Sequence, residues 1–327
     1  MLSLTCAISE YDHVRDLASG RVRAEGIELS ILNMPVEEVF FRALRFREFD
    51  VCEMSMGRYV SLLSQGDCPF VAIPVFPSRM FRHSSLYVRR NGTVREAGDL
   101  KGKRIGVPEW AQTAGIYTRG MLADHFGVAL AEVEWVQAGI HEAGREEEVE
   151  VRPPAGVTLT RVADRTLNDM LLSGEIDAVM SAHPPHCFES GDRLVQRLSE
   201  DFITVEHRYW QDTGVFPIMH TILLSREVYE KYRWIAMNLL AAFTTAKERS
   251  MARLRDATAA RCPVPWLFEY VRRTEEIFGE DYWPYGIEAN RTTLLTFLKY
   301  AHQQGITNEQ LAPDDLFAPE VRARYKV

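Results

Sequence analysis

Phe70-Val71-Ala72-Ile73-Pro74-Val75-Phe76-Pro77-Ser78-Arg79-Met80-Phe81-Arg82-His83-Ser84-Ser85-Leu86-Tyr87-Val88 sets the frame for reading this chain. The apolar run 70–75 and the alternating segment 85–88 read as two strands. The loop between them holds two arginines, a histidine and two serines. A strand, a short cationic loop and a second strand present a fixed positive cluster to an anion, because guanidinium offers planar paired donors and imidazole carries or gives a proton. A solvated loop is the plain alternative, since most arginines are exposed. Pro74 and Pro77 stiffen the approach, and Phe76 and Phe81 are poor residues to leave in water, so a small-molecule pocket is the better reading.

Working towards the N-terminus, the same unit recurs. Leu2 to Ile8 reads as a buried strand and Glu10 to Ser19 as a short helix ending at Gly20. Residues 26–31 alternate with period two, and Val36 to Phe46 carry apolar residues at helical spacing. Asp50 to Met54 then reads as a strand and Gly57 to Gln65 as a helix. Strands alternating with helices predict a mostly parallel sheet whose ligands gather at the strands' carboxyl ends. Those ends are Ser9 to Asp12, Met54 to Arg58, and Phe76 to His83.

Towards the C-terminus, Arg89-Arg90-Asn91-Gly92 reads as a turn, and a division of the chain is expected near residue 90. Asp99-Leu100-Lys101-Gly102-Lys103-Arg104 opens a second block, with a strand at 104–107. A helix follows from about Ala114 to Phe126, and its start, with Gln112 and Thr113, suits an anion or a simple cap. Glu134 to Gln137 is a strand; Gly139 to Gly156, rich in glutamate, reads as a solvated loop. Val157 to Val162, the helix Thr166 to Leu172 and the strand Ile176 to Met180 lead into Ser181-Ala182-His183-Pro184-Pro185-His186-Cys187. Residues 213–224 return to strand character, with Gly214 to Pro217 as a second passage between lobes. Helices are expected over 232–255, 263–278 and 290–304, with the aromatic turn Asp281-Tyr282-Trp283-Pro284-Tyr285-Gly286 before the last. The expected architecture is α/β, with one lobe from 1–89 and 215–327, the other from 90–214, and a ligand cleft between them.

Composition bounds the function. With 327 residues, 46% hydrophobic and 26% charged, the chain has the make-up of a soluble globular protein of one large or two ordinary domains. A net charge of -8 argues against nucleic acid or an acidic membrane as partner, so an anion site has to be a local cluster. The five cysteines are scattered and never spaced C-x-x-C; they read as reduced thiols. The N-terminus opens on a strand pattern, and no long apolar run is present, so a cytoplasmic location with no membrane partner is expected. A homo-oligomer is compatible with this make-up. His183, His186 and Cys187 invite a metal reading, but Pro184 and Pro185 break the spacing, and no metal is expected. No phosphate loop or dinucleotide fingerprint is present, so no organic cofactor is expected.

The discontinuous first lobe around an inserted second lobe, with the 99–104 run, resembles the type 2 periplasmic-binding-protein fold. More specifically, Glu25-Gly26-Ile27, Arg47-Glu48-Phe49-Asp50-Val51, the run 71–84, Arg119-Gly120-Met121-Leu122, Phe216-Pro217-Ile218-Met219-His220-Thr221, and 281–286 with Asn290-Arg291 resemble the 4,5-dihydroxyphthalate decarboxylase family. That resemblance implies non-oxidative decarboxylation of a dihydroxylated aromatic dicarboxylate. Carboxylate leaves an aromatic ring with difficulty, because the electrons would remain in an orbital that cannot delocalise them. An acid that protonates the ipso carbon avoids this, and a cationic clamp on the second carboxylate positions the ring. The clamp is then Arg79 or Arg82, supplemented by Gln112, Thr113, Ser55 and His183, with Phe216 as a wall. His83 or His220 is the proton donor. Asp12, Glu53 and Glu109 are candidates for the catechol edge, Glu109 also for a catalytic role. The competing expectation is a binding protein or sensor without catalysis, since fold does not settle function.

Overall fold

The apolar periodicity produces the strands and helices locally, and pairing then sorts the strands into two sheets. The computed structural model describes residues 1–190, 194–259 and 261–322, so 323–327 of the expected first lobe lie outside it. The strands are β1 (Leu2–Ile8), β2 (Ile27–Asn33), β3 (Val51–Ser55), β4 (Phe70–Ile73), β5 (Leu86–Arg89), β6 (Arg104–Val107), β7 (Glu134–Gln137), β8 (Thr158–Arg161), β9 (Ala178–Met180), β10 (Val195–Arg197) and β11 (His220–Ser225). One sheet has the order β2-β1-β3-β11-β4, the other β10-β5-β9-β6-β7-β8. The longer helices are α1 (Val36–Phe46), α2 (Met56–Ser64), α3 (Thr113–Phe126), α4 (Phe202–Thr213), α5 (Ile235–Arg255), α6 (Leu267–Phe278) and α7 (Arg291–Gln303).

The sheets are parallel through β2-β1-β3 and β9-β6-β7-β8, where a helix or, between β7 and β8, the long loop 138–157 makes the crossover. The reversed strands are β11, antiparallel to β3 and β4, and β5, antiparallel to β9 and β10. Each follows a direct passage from the other sheet. A chain that arrives at the carboxyl edge without a crossover helix has to run back against its neighbours. The first passage is 74–85, the cationic stretch itself. β5 therefore belongs to the second sheet, whereas a division at residue 89 would assign it to the first: its pairing with Ala178 to Met180 overrides the turn signal at 89–92. The second passage, 214–219, starts at Gly214, whose φ of 65° caps α4 in the left-handed region.

β10 and α4 have no counterpart in the sequence reading. β10 is three residues long and exists through pairing with β5, and α4 buries Tyr209 alone of its residues, so neither carries a clear period. Buried side chains form one large core running through both sheets and a smaller one on the second sheet around Tyr87, Val136, Leu167 and Val179. The helical C-terminal region braces the large core: Tyr59 Oη donates to Leu316 O (2.6 Å) in the first half, and Trp110 Nε1 donates to Gln304 O (2.8 Å) in the second.

Candidate active site

The carboxyl ends of the parallel strands and the start of β11 share one edge, so 9–12, 55–58, 74–85, 108–113, 181–186 and His220 converge between the sheets. They enclose a cavity of about 250 Å³, near the roughly 300 Å³ lower bound of small-molecule pockets and sized for one substituted ring.

Glu53 and His220 form its chemical centre. His220 pairs with Ser55 in the β3–β11 register, and Glu53, two residues before Ser55, shares that face as the diagonal neighbour. Glu53 is fully buried. Its Oε1 accepts from Tyr11 Oη (2.6 Å) and from His220 Nδ1 (2.6 Å), its Oε2 from Ser9 N (3.0 Å). A carboxylate on Nδ1 fixes the imidazole tautomer and leaves Nε2 as the nitrogen free to work. Both oxygens of Glu53 are engaged, so it orients His220 rather than binding a catechol edge.

Arg58 and Glu109, both buried, form a two-point pair (2.9 and 3.1 Å). Arg145 Nε adds a second cation to Glu109 (2.7 Å), and Glu148 pairs with Arg58 (2.8 Å). Glu109 thus lines the cavity with its charge already answered by two arginines, which disfavours it as the catechol acceptor or as a proton donor. The acidic stretch 139–156 is more than a solvated loop: Glu147 accepts from Trp110 N (2.6 Å) and Ala111 N (2.9 Å), seating the stretch on the cavity wall.

Arg82 lines the cavity, and among the described residues no carboxylate pairs with it; Nε donates to Met219 Sδ (3.3 Å). Burial brings its guanidinium down to about 10, still cationic at neutral pH. Ser55 Oγ and Thr113 Oγ1 meet at 2.8 Å, and Gly57 N donates to Thr113 Oγ1 (2.9 Å). These join the two halves at the start of α3, whose first intrahelical bond is Ile116 N to Gln112 O. The preceding N–H groups favour an anion. Gln112 lines the same wall, with Oε1 buried and without a hydrogen bond among the described residues. Across the cavity, His183 Nε2 bonds Glu37 Oε1 (2.7 Å).

Four expected site residues lie elsewhere. Arg79 is buried and directs its terminal NH groups to Phe216 O (3.2 Å), Pro284 O (2.8 Å) and Asn290 Oδ1, between the rings of Phe76 and Phe216, with Nε buried and without a hydrogen bond among the described residues. It is a structural cation, and Phe216 is its wall, stacked on Phe81. His83 faces away, against Tyr209 and within 3.8 Å of Glu206, and burial lowers its imidazole to about 4. Asp12 bonds Ser250 and Arg253 on the far side of the first loop. The sequence reading missed Tyr11, Ser78, Glu37 and Arg145 and gave Arg58 no role in the site beyond marking the end of a strand-end loop. Tyr11 and Ser78 lie in strand-end loops it had marked, and Arg145 is a lone cation among glutamates, which was the available signal. Among the described residues no three His, Cys, Asp or Glu side chains gather as metal ligands.

No family model matches the chain. It is 35% identical over 327 residues to the 4,5-dihydroxyphthalate decarboxylase of Comamonas testosteroni, covering 100% of this chain and 99% of that one. The chain belongs to the 4,5-dihydroxyphthalate decarboxylase family. A second relative, the 4,5-dihydroxyphthalate decarboxylase of Pseudomonas putida, is 40% identical over 201 residues, 61% of this chain and 78% of that one. This member of the 4,5-dihydroxyphthalate decarboxylase family is a carboxy-lyase, and the binding-only alternative gives way. Its fold is that of periplasmic binding proteins. The aliphatic sulphonate binding protein of Escherichia coli superposes with a TM-score of 0.56 at 13% identity, covering 98% of this chain and 99% of that one. The ligand-binding component of an ABC-type import system from Staphylococcus aureus gives 0.54 at 10% identity, covering 98% of each. At such identities the likeness concerns the fold alone.

Proposed function

We propose that this carboxy-lyase converts 4,5-dihydroxyphthalate to protocatechuate and carbon dioxide without oxidation. The observation that carries this reading is the His220–Glu53 pair beside an unanswered cation, Arg82, in a cavity sized for one ring. Arg82, with the N–H groups at the start of α3, holds the carboxylate that stays. His220 Nε2 delivers a proton to the ring carbon bearing the carboxylate that leaves. The hydroxyl para to that carbon feeds an electron pair into the ring as the carbon gains the proton, forming a protonated dienone in which the O–H bond stays intact. The carbon–carbon bond then breaks, its electron pair restores the aromatic ring and the neutral hydroxyl, and carbon dioxide departs. One proton is consumed per turnover. Glu53 stabilises the imidazolium before transfer and keeps the working nitrogen aimed at the ring.

Incubation of the purified protein with 4,5-dihydroxyphthalate should release carbon dioxide and protocatechuate in equal amounts. Tight binding with neither product would revive the binding-protein reading. The cytoplasm is our proposed location, supported by the free thiols of Cys6, Cys52, Cys68 and Cys262; no helix among the described residues is long and apolar enough to cross a membrane. Exposed Trp266, Phe268 and Tyr270 at α6 support self-association, which sedimentation would read.

A further inference from the structure

The reaction depends on a ring hydroxyl, yet every carboxylate lining the cavity, or directly behind it, already has a cationic or hydrogen-bonding partner. Glu53 serves Ser9, Tyr11 and His220; Glu109 serves Arg58 and Arg145; Glu37 serves His183. Of the neutral side-chain oxygens lining the cavity, Ser55 Oγ and Thr113 Oγ1 bond each other and Gln112 Oε1 lies on the α3 wall beside the carboxylate clamp, whereas those of Tyr11 and Ser78 lie next to His220, through Glu53 Oε1 and through the bond from His220 N to Ser78 O. The latter two come from loops that His13 ties together, its Nε2 bonding Pro77 O (3.0 Å) and its ring lying 5.1 Å from that of Tyr11.

The proton count at Tyr11 decides what it recognises. A phenol has one proton, and this one goes to Glu53 Oε1. Burial, then the charge of Glu53, pushes the phenol above its ordinary range, so the proton stays in place at neutral pH. Towards the cavity Tyr11 therefore offers lone pairs alone, which accept from a donor and gain nothing from a ring C–H or an ether. Glu53 Oε1 is shared with His220, so a hydroxyl bonding Tyr11 polarises the same short chain that holds the acid.

We propose that Tyr11, with Ser78 beside it, accepts the ring hydroxyl of the substrate and so selects hydroxylated phthalates over their deoxy counterparts. This rests on the decarboxylase reading above and adds the group that reads the hydroxyl. In that geometry the hydroxyl para to the departing carboxylate meets Tyr11 while His220 meets the ipso carbon, and a substrate lacking it leaves the Tyr11 oxygen unsatisfied.

Calorimetry with 4,5-dihydroxyphthalate and with phthalate tests it, using wild type, Tyr11→Phe and Ser78→Ala. Wild type should prefer the dihydroxy compound by about tenfold, the worth of one to two hydrogen bonds. Tyr11→Phe should bring the ratio of the two affinities close to one, and denaturant unfolding reports that the variant folds. Ser78→Ala should remove a smaller part. A Tyr11→Phe protein that keeps the preference, or loses affinity for both compounds by one factor, overturns the assignment. A wild-type protein that binds neither compound overturns the decarboxylase reading itself, before any variant is made.

Discussion

Glu53, His220 and the two arginines of the cationic loop show how much a single side chain's partners decide. On sequence His83 and His220 are equal candidates for the acid, as Arg79 and Arg82 are for the clamp. The fold separates each pair by giving one member a buried structural duty and the other a face on the cavity. His220→Asn should therefore lower kcat by about a hundredfold or more, the ordinary scale of general acid catalysis, with substrate affinity little changed. Steady-state kinetics beside calorimetry would check this, and an intact kcat would remove His220 as the acid. Arg82→Ala should raise KM with a modest effect on melting. Arg79→Ala should do the reverse, costing about 3 kcal/mol of stability because it strands the acceptors Phe216 O and Asn290 Oδ1, while Pro284 O keeps its bond from Asn290 Nδ2. Denaturant unfolding of both variants tests the distinction, which fails if Arg79→Ala melts like wild type.

At the scale of elements, the start of α2 against the approach to α3 is the tightest point of the site. A Cβ on Gly57 would fall well inside contact distance of Ala111 O and also meet Ile116 Cδ1 at 2.9 Å. Gly57→Ala should therefore spread the two halves, break the Ser55–Thr113 contact, and cost about 1–3 kcal/mol as overpacking does. Unchanged melting together with unchanged kcat/KM would mean that this contact yields. Elements with a strong period were legible: the strands Leu2–Ile8, Arg104–Val107 and Glu134–Gln137 and the helix Val36–Phe46 stand where alternation and helical spacing put them. β10 and the reversed direction of β5 were not, because pairing partners far along the chain create them.

Across the whole molecule, Glu37 on α1 and His183 after β9 join the two sheets' territories over the cavity. The hydrogen bond to His183 holds the Glu37 carboxyl at about 2, and the same bond raises the His183 imidazole. The depressed carboxylate contributes fully above its ordinary value near 4.5 and loses its contribution as pH falls towards 2. The raised imidazole contributes fully below 6.5 and loses its contribution as pH climbs through its raised value. The latch is thus complete between about 4.5 and 6.5 and weakens on both sides. Both partners are about half exposed, so solvent screens the pair. Small-angle scattering of the ligand-free protein should show a more open form above neutrality than at pH 6, and Glu37→Gln should be open at both. Equal scattering at the two pH values in the unmodified protein would contradict the latch.

The sequence by itself determined the α/β alternation, the cationic loop as a strand-end feature, and the family, because periodicity and short local motifs are properties of neighbouring residues. It also brought His220, Glu53, Arg82, Ser55, Gln112 and Thr113 into consideration, since strand ends can be read along the chain. The tertiary structure alone decided that Glu53 stands behind His220, that Arg79 is walled in while Arg82 is free, and that Tyr11 faces the cavity with its proton already given away. Each of those facts depends on a partner contributed by a different strand or loop, and a hydrogen bond across such separations leaves no period in the sequence.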